Sequence, residues 1–301
     1  MRILPPTDPH PNRKVVDDQG TGLRLGRIRR VVSLVPSLTE AVAQSAPGLL
    51  VGATAWCTHP ADLDVERIGG TKNPNTARII TLAPDLVLAN EEENRAPDLD
   101  ALRAAGIPVW VTEIRTLDQA LTSLDRMLTL ACDLPRPSWL DRARDVWDQV
   151  RPAEPAVRAI VPIWRRPWMV LGRDTFAGDV LARLGVQHIY ADHAERYPAI
   201  PIDELAAAGA ELVVLPDEPY RFTADDGPEA FPDVASALVS GRHLTWYGPS
   251  LVEAAALLAA QLGPGIESDS KVPHEGTRRR RRSSRGNRCA GWSRPGGYAG
   301  H

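Results

Sequence analysis

Short runs of β-branched and leucine residues alternate with longer stretches of helical periodicity along most of the chain. Val31-Val32-Ser33-Leu34-Val35 is a buried-strand pattern, and Ser37 with Glu40 three residues on predicts a capping box opening a helix. Further apolar runs fall at Leu49–Gly52, Asp85–Ala89 and Ile107–Val111, with a helical stretch over Leu99–Ala105. Strands separated by helices predict mostly parallel sheets covered on both faces. The second half repeats the plan. Val157–Ile163, Trp168–Leu171, Gln187–Tyr190 and Glu211–Leu215 read as strands, Thr175–Leu184 and Ile202–Ala208 as helices. Leu82–Leu88 and Ala208–Leu215 echo each other: in each a helix ends, a buried strand follows, and an acidic loop comes next.

Between the halves, apolar residues at 139, 140, 143, 146, 147 and 150 mark one face of a helix bounded by Pro135 and Pro137 before and Pro152 and Pro155 after. Such a helix of roughly 20 Å is a stiff strut. The domain map is therefore an irregular segment at 1–26, an α/β lobe at 27–134, a bridging helix at 136–151, a second α/β lobe at 155–264, and a disordered Arg-rich tail at 265–301. That tail holds five consecutive arginines, Arg278 to Arg282. Contact with nucleic acid or membrane is one reading of it, a functionless extension the other.

Composition narrows the function. The formal net charge of −3 hides an asymmetry, because residues 265–301 hold nine Lys or Arg against Glu267, Asp269 and Glu275, leaving −9 for the rest. An acidic body argues against nucleic-acid binding by the folded part. No run approaches membrane-spanning length. Met1 to Gly26 carries prolines and aspartates where a secretory signal would carry basic and then apolar residues. The expectation is a cytoplasmic protein as the sequence stands, or an extracytoplasmic one if the start lies elsewhere. There is no GxSxG, Gly-rich phosphate loop or HExxH, and no cysteine with an evident paired base, so an enzyme is not expected.

Arg30-Val31-Val32-Ser33-Leu34-Val35-Pro36-Ser37-Leu38-Thr39-Glu40 resembles the opening of the receptors for cobalamin and ferric siderophores whose lobes are joined by one helix. Val51-Gly52 with Trp56 and Pro60, Ile68-Gly69-Gly70-Thr71, Ile79–Val87 and Leu102–Val109 match in order. Thr175–Gly185, Ile202–Leu215 and Gly241–Leu262 are similar in the second half, so the resemblance covers about residues 27–264. It implies an α/β fold of two Rossmann-like lobes with mostly parallel sheets, joined by a single bridging α-helix. It also implies a monomeric substrate-binding receptor that clamps a metal chelate (a cobalamin-like corrinoid, haem or a ferric siderophore) for ABC-type import. No cofactor is required beyond that ligand. A cytosolic metallocofactor carrier or sensor, or a metal-dependent enzyme on the same scaffold, is the alternative.

Ligands of open α/β sheets sit beyond the carboxyl ends of the strands. The loops there carry Trp56, His59, Trp164, Arg165, Arg166, Trp168, Trp246 and Tyr247, the candidate contacts for a flat or macrocyclic ligand. Core packing is the competing role for each tryptophan, and the expected one for Trp110, Trp139 and Trp147. Cys57-Thr58-His59 offers two soft ligands, yet a lone Cys-x-His reads equally as a buried thiol beside a pocket imidazole, so no metal site is assigned. The resemblance makes Glu91, Glu92, Glu93 and Glu218 candidates for contact with an ABC permease.

Overall fold

The computed structural model describes residues 13–152, 154 and 156–263. The chain divides into two compact units, Met1–Asp269 and Ser270–His301. The second unit, and with it most of the Arg-rich tail, lies outside the described residues.

The first lobe begins with a feature the sequence reading missed. Residues 1–26 were expected to be irregular, but β1 (Arg13–Val16) and β2 (Gly22–Leu25) form an antiparallel hairpin. Leu23 and Leu25 turn inward while Gly22 and Arg24 face water, the period-two pattern of a half-buried strand. After it come β3 (Val31–Ser33), α1 (Pro36–Ser45), β4 (Leu50–Ala53), β5 (Glu66–Arg67), α2 (Thr76–Leu82), β6 (Leu86–Asn90), α3 (Ala96–Ala104), β7 (Val109–Thr112) and α4 (Leu117–Arg126). A π-turn over Met127–Ala131 closes the lobe. The five strands β5-β4-β3-β6-β7 form one parallel sheet. Strands β3, β6 and β7 are buried on both faces, which is why they read as continuous apolar runs rather than alternating ones.

The hairpin turn seals the open edge of this sheet. Asp18 N donates to Val111 O at 3.2 Å, the Asp17 carboxylate accepts from Val111 N at 3.3 Å, and the Asp18 carboxylate accepts from Glu113 N at 3.2 Å. Ser123 and Arg126 also donate to the Asp18 carboxylate. An uncovered edge strand is a template for wrong pairing, and here two aspartates cover it.

The capping box is also corrected. Helix α1 starts at Pro36 with extended Val35 at its cap and no side-chain cap, because proline fixes φ for the first helical position and needs no N–H partner there. Ser37 and Glu40 therefore lie inside the helix with their side chains free for other uses. Elsewhere the caps are ordinary: Asn75, Thr116 and Thr175 accept from Arg78 N, Gln119 N and Gly178 N and open α2, α4 and the first helix of the second lobe.

Helix α5 (Ser138–Gln149) joins the lobes and buries Trp139, Leu140, Ala143 and Trp147 on one face. Its two tryptophans fasten it at both ends. Trp139 Nε1 donates to Ser45 Oγ in α1 at 3.1 Å, and Trp147 Nε1 donates to Leu251 O of the second lobe at 2.9 Å.

The second lobe comprises β8 (Val157–Ile160), β9 (Pro162–Arg165), β10 (Trp168–Val170), α6 (Phe176–Arg183), β11 (Val186–His188), α7 (Ile202–Ala207), β12 (Leu212–Pro216), β13 (Ala235–Val239), α8 (Gly241–Thr245) and α9 (Leu251–Leu262). Strands β11-β8-β12-β13 form a parallel sheet, while β9 and β10 pair as a separate antiparallel hairpin. The order β4-β3-β6-β7 in the first sheet matches β11-β8-β12-β13 in the second. The sequence echo at β6 and β12 therefore reflects equivalent central strands. The fold is two α/β lobes bridged by one helix.

Candidate functional site

Residues that follow β4 and β6 in the first lobe meet residues that follow β11 and β13 in the second. His59, in the loop after β4, faces Trp246, which follows α8. Their ring centroids are 5.6 Å apart and nearly perpendicular, an arrangement aromatic rings favour. His59 Nδ1 is 3.1 Å from Thr58 Oγ1. Burial first, then the nearby Arg242 guanidinium, holds the imidazole below its usual pKa, with Glu40 opposing. Trp246 is almost fully buried, and its Nε1 donates to Glu218 Oε2 at 3.1 Å. Burial pushes the Glu218 carboxyl up, against the pull of that N–H. Trp56 lies in the same loop as His59 and is 67% exposed, the most exposed large apolar side chain described.

Tyr247 continues from Trp246 into the core, edge-on to Phe176 at 5.6 Å. Burial raises its phenol. Cys57 is fully buried with Sγ 3.0 Å from Thr39 Oγ1 and 3.1 Å from Thr54 Oγ1. Burial pushes that thiol up, the opposite of what a thiolate ligand needs.

The remaining aromatic candidates form a second group on the β9–β10 hairpin. Trp168 stacks on Phe222 and meets Phe231 edge-on, within the apolar core of the second lobe. Arg165 pairs with Asp226 and Glu229 and lies over the Trp168 ring at 5.4 Å. Trp164 is 43% exposed, edge-on to Tyr220, with Nε1 donating to Arg166 O at 3.2 Å. Arg166 is exposed. No ring contact or ion pair links this group to His59 and Trp246 among the described residues.

The acidic candidates are turned to a use that sequence reading did not foresee. Glu91 pairs with Arg115 at 3.0 Å and with Arg196 of the second lobe at 3.3 Å, and Glu92 pairs with Arg196 at 3.0 Å. Lys72 Nζ donates to Glu92 O. Burial pushes the Glu93 carboxyl up, against Lys72. Two more ion pairs cross between the lobes: Asp118 with Arg183 at 2.9 Å, and Glu40 with Arg242. In each the carboxylate comes from the first lobe and the arginine from the second. Arg183, Arg196 and Arg242 escaped the sequence reading because loop and helix arginines look like solvated charges until topology supplies their partners.

Chemically, the junction offers aromatic faces, an imidazole, carboxyl groups, and cations already matched by carboxylates. Among the described residues no group of three or more His, Cys, Asp or Glu could hold a metal ion, and no helix is long and apolar enough to cross a membrane.

Comparison with known proteins places this geometry. The sequence profile of the family described as periplasmic binding protein matches residues 31–229. A vitamin B12-binding protein of Pectobacterium carotovorum is 24% identical over 259 residues, covering 80% of this chain and 91% of that protein. The periplasmic vitamin B12-binding protein BtuF of Vibrio cholerae superposes with a TM-score of 0.61 at 20% identity, over 78% of this chain and 96% of that one. A periplasmic haem-binding protein of Pseudomonas aeruginosa superposes with a TM-score of 0.64 at 23% identity, over 79% and 94%. The cytoplasmic location expected from residues 1–26 is corrected by these findings, since the matched family and both solved structures are periplasmic.

Proposed function

The chain belongs to the periplasmic binding protein family, and on that premise we propose that it is an extracytoplasmic receptor holding a corrinoid between its lobes. It acts by binding, without turnover and without a cofactor of its own, and as a monomer it passes its ligand to an ABC permease. The observation that carries this reading is the pairing of His59 and Trp246 across the lobes with Trp56 exposed beside them. A ring pair across the lobes with an exposed indole in the same loop suits a flat, bulky ligand. Trp164 and Arg166 are its contacts on the rim of the second lobe, while Arg165, Trp168 and Tyr247 support that wall from behind.

Charge favours a corrinoid over a dianionic macrocycle. Arg196 and Arg242 already carry carboxylate partners, so a ligand bearing two carboxylates would have to displace them. An amide-rimmed ligand needs no such displacement, and its N–H groups meet acceptors in Glu218 and Glu93, whose carboxyls burial pushes up. Haem is the second reading, supported by His59, a neutral imidazole whose Nε2 makes no hydrogen bond among the described residues. Permease contact falls to the outer rim rather than to Glu91 and Glu92, whose carboxylates hold Arg196. The test is to purify the protein from a corrinoid-producing host and record the absorbance spectrum and mass of whatever accompanies it. A corrinoid spectrum supports the reading, a Soret band moves haem ahead, and a colourless preparation that takes up neither on incubation refutes both.

A further inference from the structure

Helix α8 carries two different side chains to the junction of the lobes. Arg242 at its start pairs with Glu40 of α1, and Trp246 just beyond its end faces His59. The two are tied by one turn of backbone, because Trp246 N donates to Arg242 O at 3.0 Å. Wherever the Arg242 contact holds α8, it also holds the Trp246 ring.

That contact is unusually committed. The Glu40 side chain is only 6% exposed and that of Arg242 only 20%. Glu40 Oε2 and Arg242 Nε make no hydrogen bond among the described residues, so the contact rests on Glu40 Oε1 and Arg242 Nη2. Arg242 Nη1 also lies 3.6 Å from Glu253, a second pairing that the solvent at this 63% exposed carboxylate screens. Glu40 pairs with no other cation among the described residues, and a buried carboxylate left without a partner is strongly unfavourable, which makes the pair hard to part.

The backbone packs as tightly beside it. Gly248 sits where a Cβ would lie 3.2 Å from both Glu40 Oε2 and Ser37 O, so its lack of a side chain lets the second lobe close onto α1. Residues Trp246 to Ser250 are all buried in the same contact.

We propose that Arg242 is a positioning residue that sets the gap between the lobes, and with it the distance between the two walls that grip the ligand. The ligand part of this claim rests on the receptor reading above; the spacing part does not. Glu40 receives the arginine, and Gly248 permits the approach. The other inter-lobe pairs join Arg196 to Glu91 and Glu92 and Arg183 to Asp118, whose carboxylates are more exposed than that of Glu40, and are weaker restraints by comparison.

The test uses the full chain, with spin labels on Asp100→Cys and Asp203→Cys in a Cys289→Ser background. Cys57 and Cys132 are buried and stay unlabelled. Distances between labels are read without ligand, followed by cyanocobalamin and haemin titrations. Arg242→Gln is expected to lengthen and broaden the inter-lobe distance and to weaken binding of the preferred ligand about tenfold or more. Gly248→Val, which leaves both charges intact, should lengthen the distance by wedging α1 away. If Arg242→Gln does not fold, Gly248→Val decides the matter. Unchanged distances in the folded variants overturn the proposal. A wild-type protein that binds neither ligand sinks the receptor reading, while the ligand-free distances still decide the role of Arg242.

Discussion

Replacing Trp56 with alanine separates ligand contact from fold maintenance, because the indole is 67% exposed. A tryptophan side chain offers on the order of 250 Å², so about 170 Å² remains for a ligand to cover. At ~25 cal/mol per Å² that area has a ceiling of about 4 kcal/mol. Ordering costs on binding take part of it back. A loss of about 2 kcal/mol, roughly thirtyfold in Kd, is the expected outcome. The third of the ring already covered bears on folding, with a ceiling of about 2 kcal/mol that a compact unfolded state reduces toward ~1 kcal/mol. For a chain of this size that moves Tm by only about 2–4 °C. Trp246→Ala is the contrast. Its ring is buried and its N–H satisfies Glu218, so it should cost ~3–5 kcal/mol of stability. The assay pairs intrinsic-fluorescence titration with cyanocobalamin and calorimetric melting of both variants. The reasoning fails if Trp56→Ala binds with unchanged Kd, or if it melts as early as Trp246→Ala.

Three further outcomes follow from the structure. Asp17 is buried and accepts from Gln19 N, Thr21 N and Val111 N, so Asp17→Ala should lower stability by ~2–3 kcal/mol in denaturant unfolding; a loss below ~0.5 kcal/mol would show that the hairpin does not hold the sheet edge. Burial pushes the Cys132 thiol up to about 12 and raises Cys57 as well. Above pH 9 the unfolded chain gives up the Cys132 proton that the folded chain keeps, so stability should fall with rising pH from about 9 toward 12, by ~1.4 kcal/mol per pH unit for this thiol, with Cys57 acting in the same direction; flat alkaline stability, or native-state reaction of either thiol with Ellman's reagent at pH 8, would contradict this. Trp147→Phe removes the donor to Leu251 O while keeping most of the ring and should cost about 1 kcal/mol, read as a lower urea midpoint; an unchanged midpoint would mean that the bridge is not fastened there.

Much of the fold was legible because its signals are local. Runs such as Val31–Val35 and Asp85–Ala89 become buried parallel strands, and the apolar face at 139, 143 and 147 becomes the bridging helix. The hairpin over residues 13–25 was equally local: Leu23 and Leu25 alternate with polar neighbours, and Asp17-Asp18-Gln19-Gly20 supplies the turn. It was overlooked because the surrounding prolines and aspartates suggested irregular chain. The capping-box reading of Ser37 and Glu40 shows a different limit. Spacing alone allows the motif, but Pro36 already starts the helix, and the Glu40 side chain instead reaches Arg242, more than 200 positions away. Contacts of that separation leave no trace in periodicity, so Arg196 and Arg242 could not be told from solvated charges. The aromatic candidates were recognised by type, while their division into a junction group and a hairpin group depends on topology.

Calorimetric titration of the purified chain with cyanocobalamin, followed by native mass spectrometry of the product, bears most directly on the receptor reading. One equivalent should bind with a Kd of about 1 μM or tighter, and the complex should carry the mass of a single corrinoid with no change in the ligand after prolonged incubation. Absence of both heat and adduct with cyanocobalamin, haemin and a ferric siderophore, or steady conversion of any of them, would contradict it.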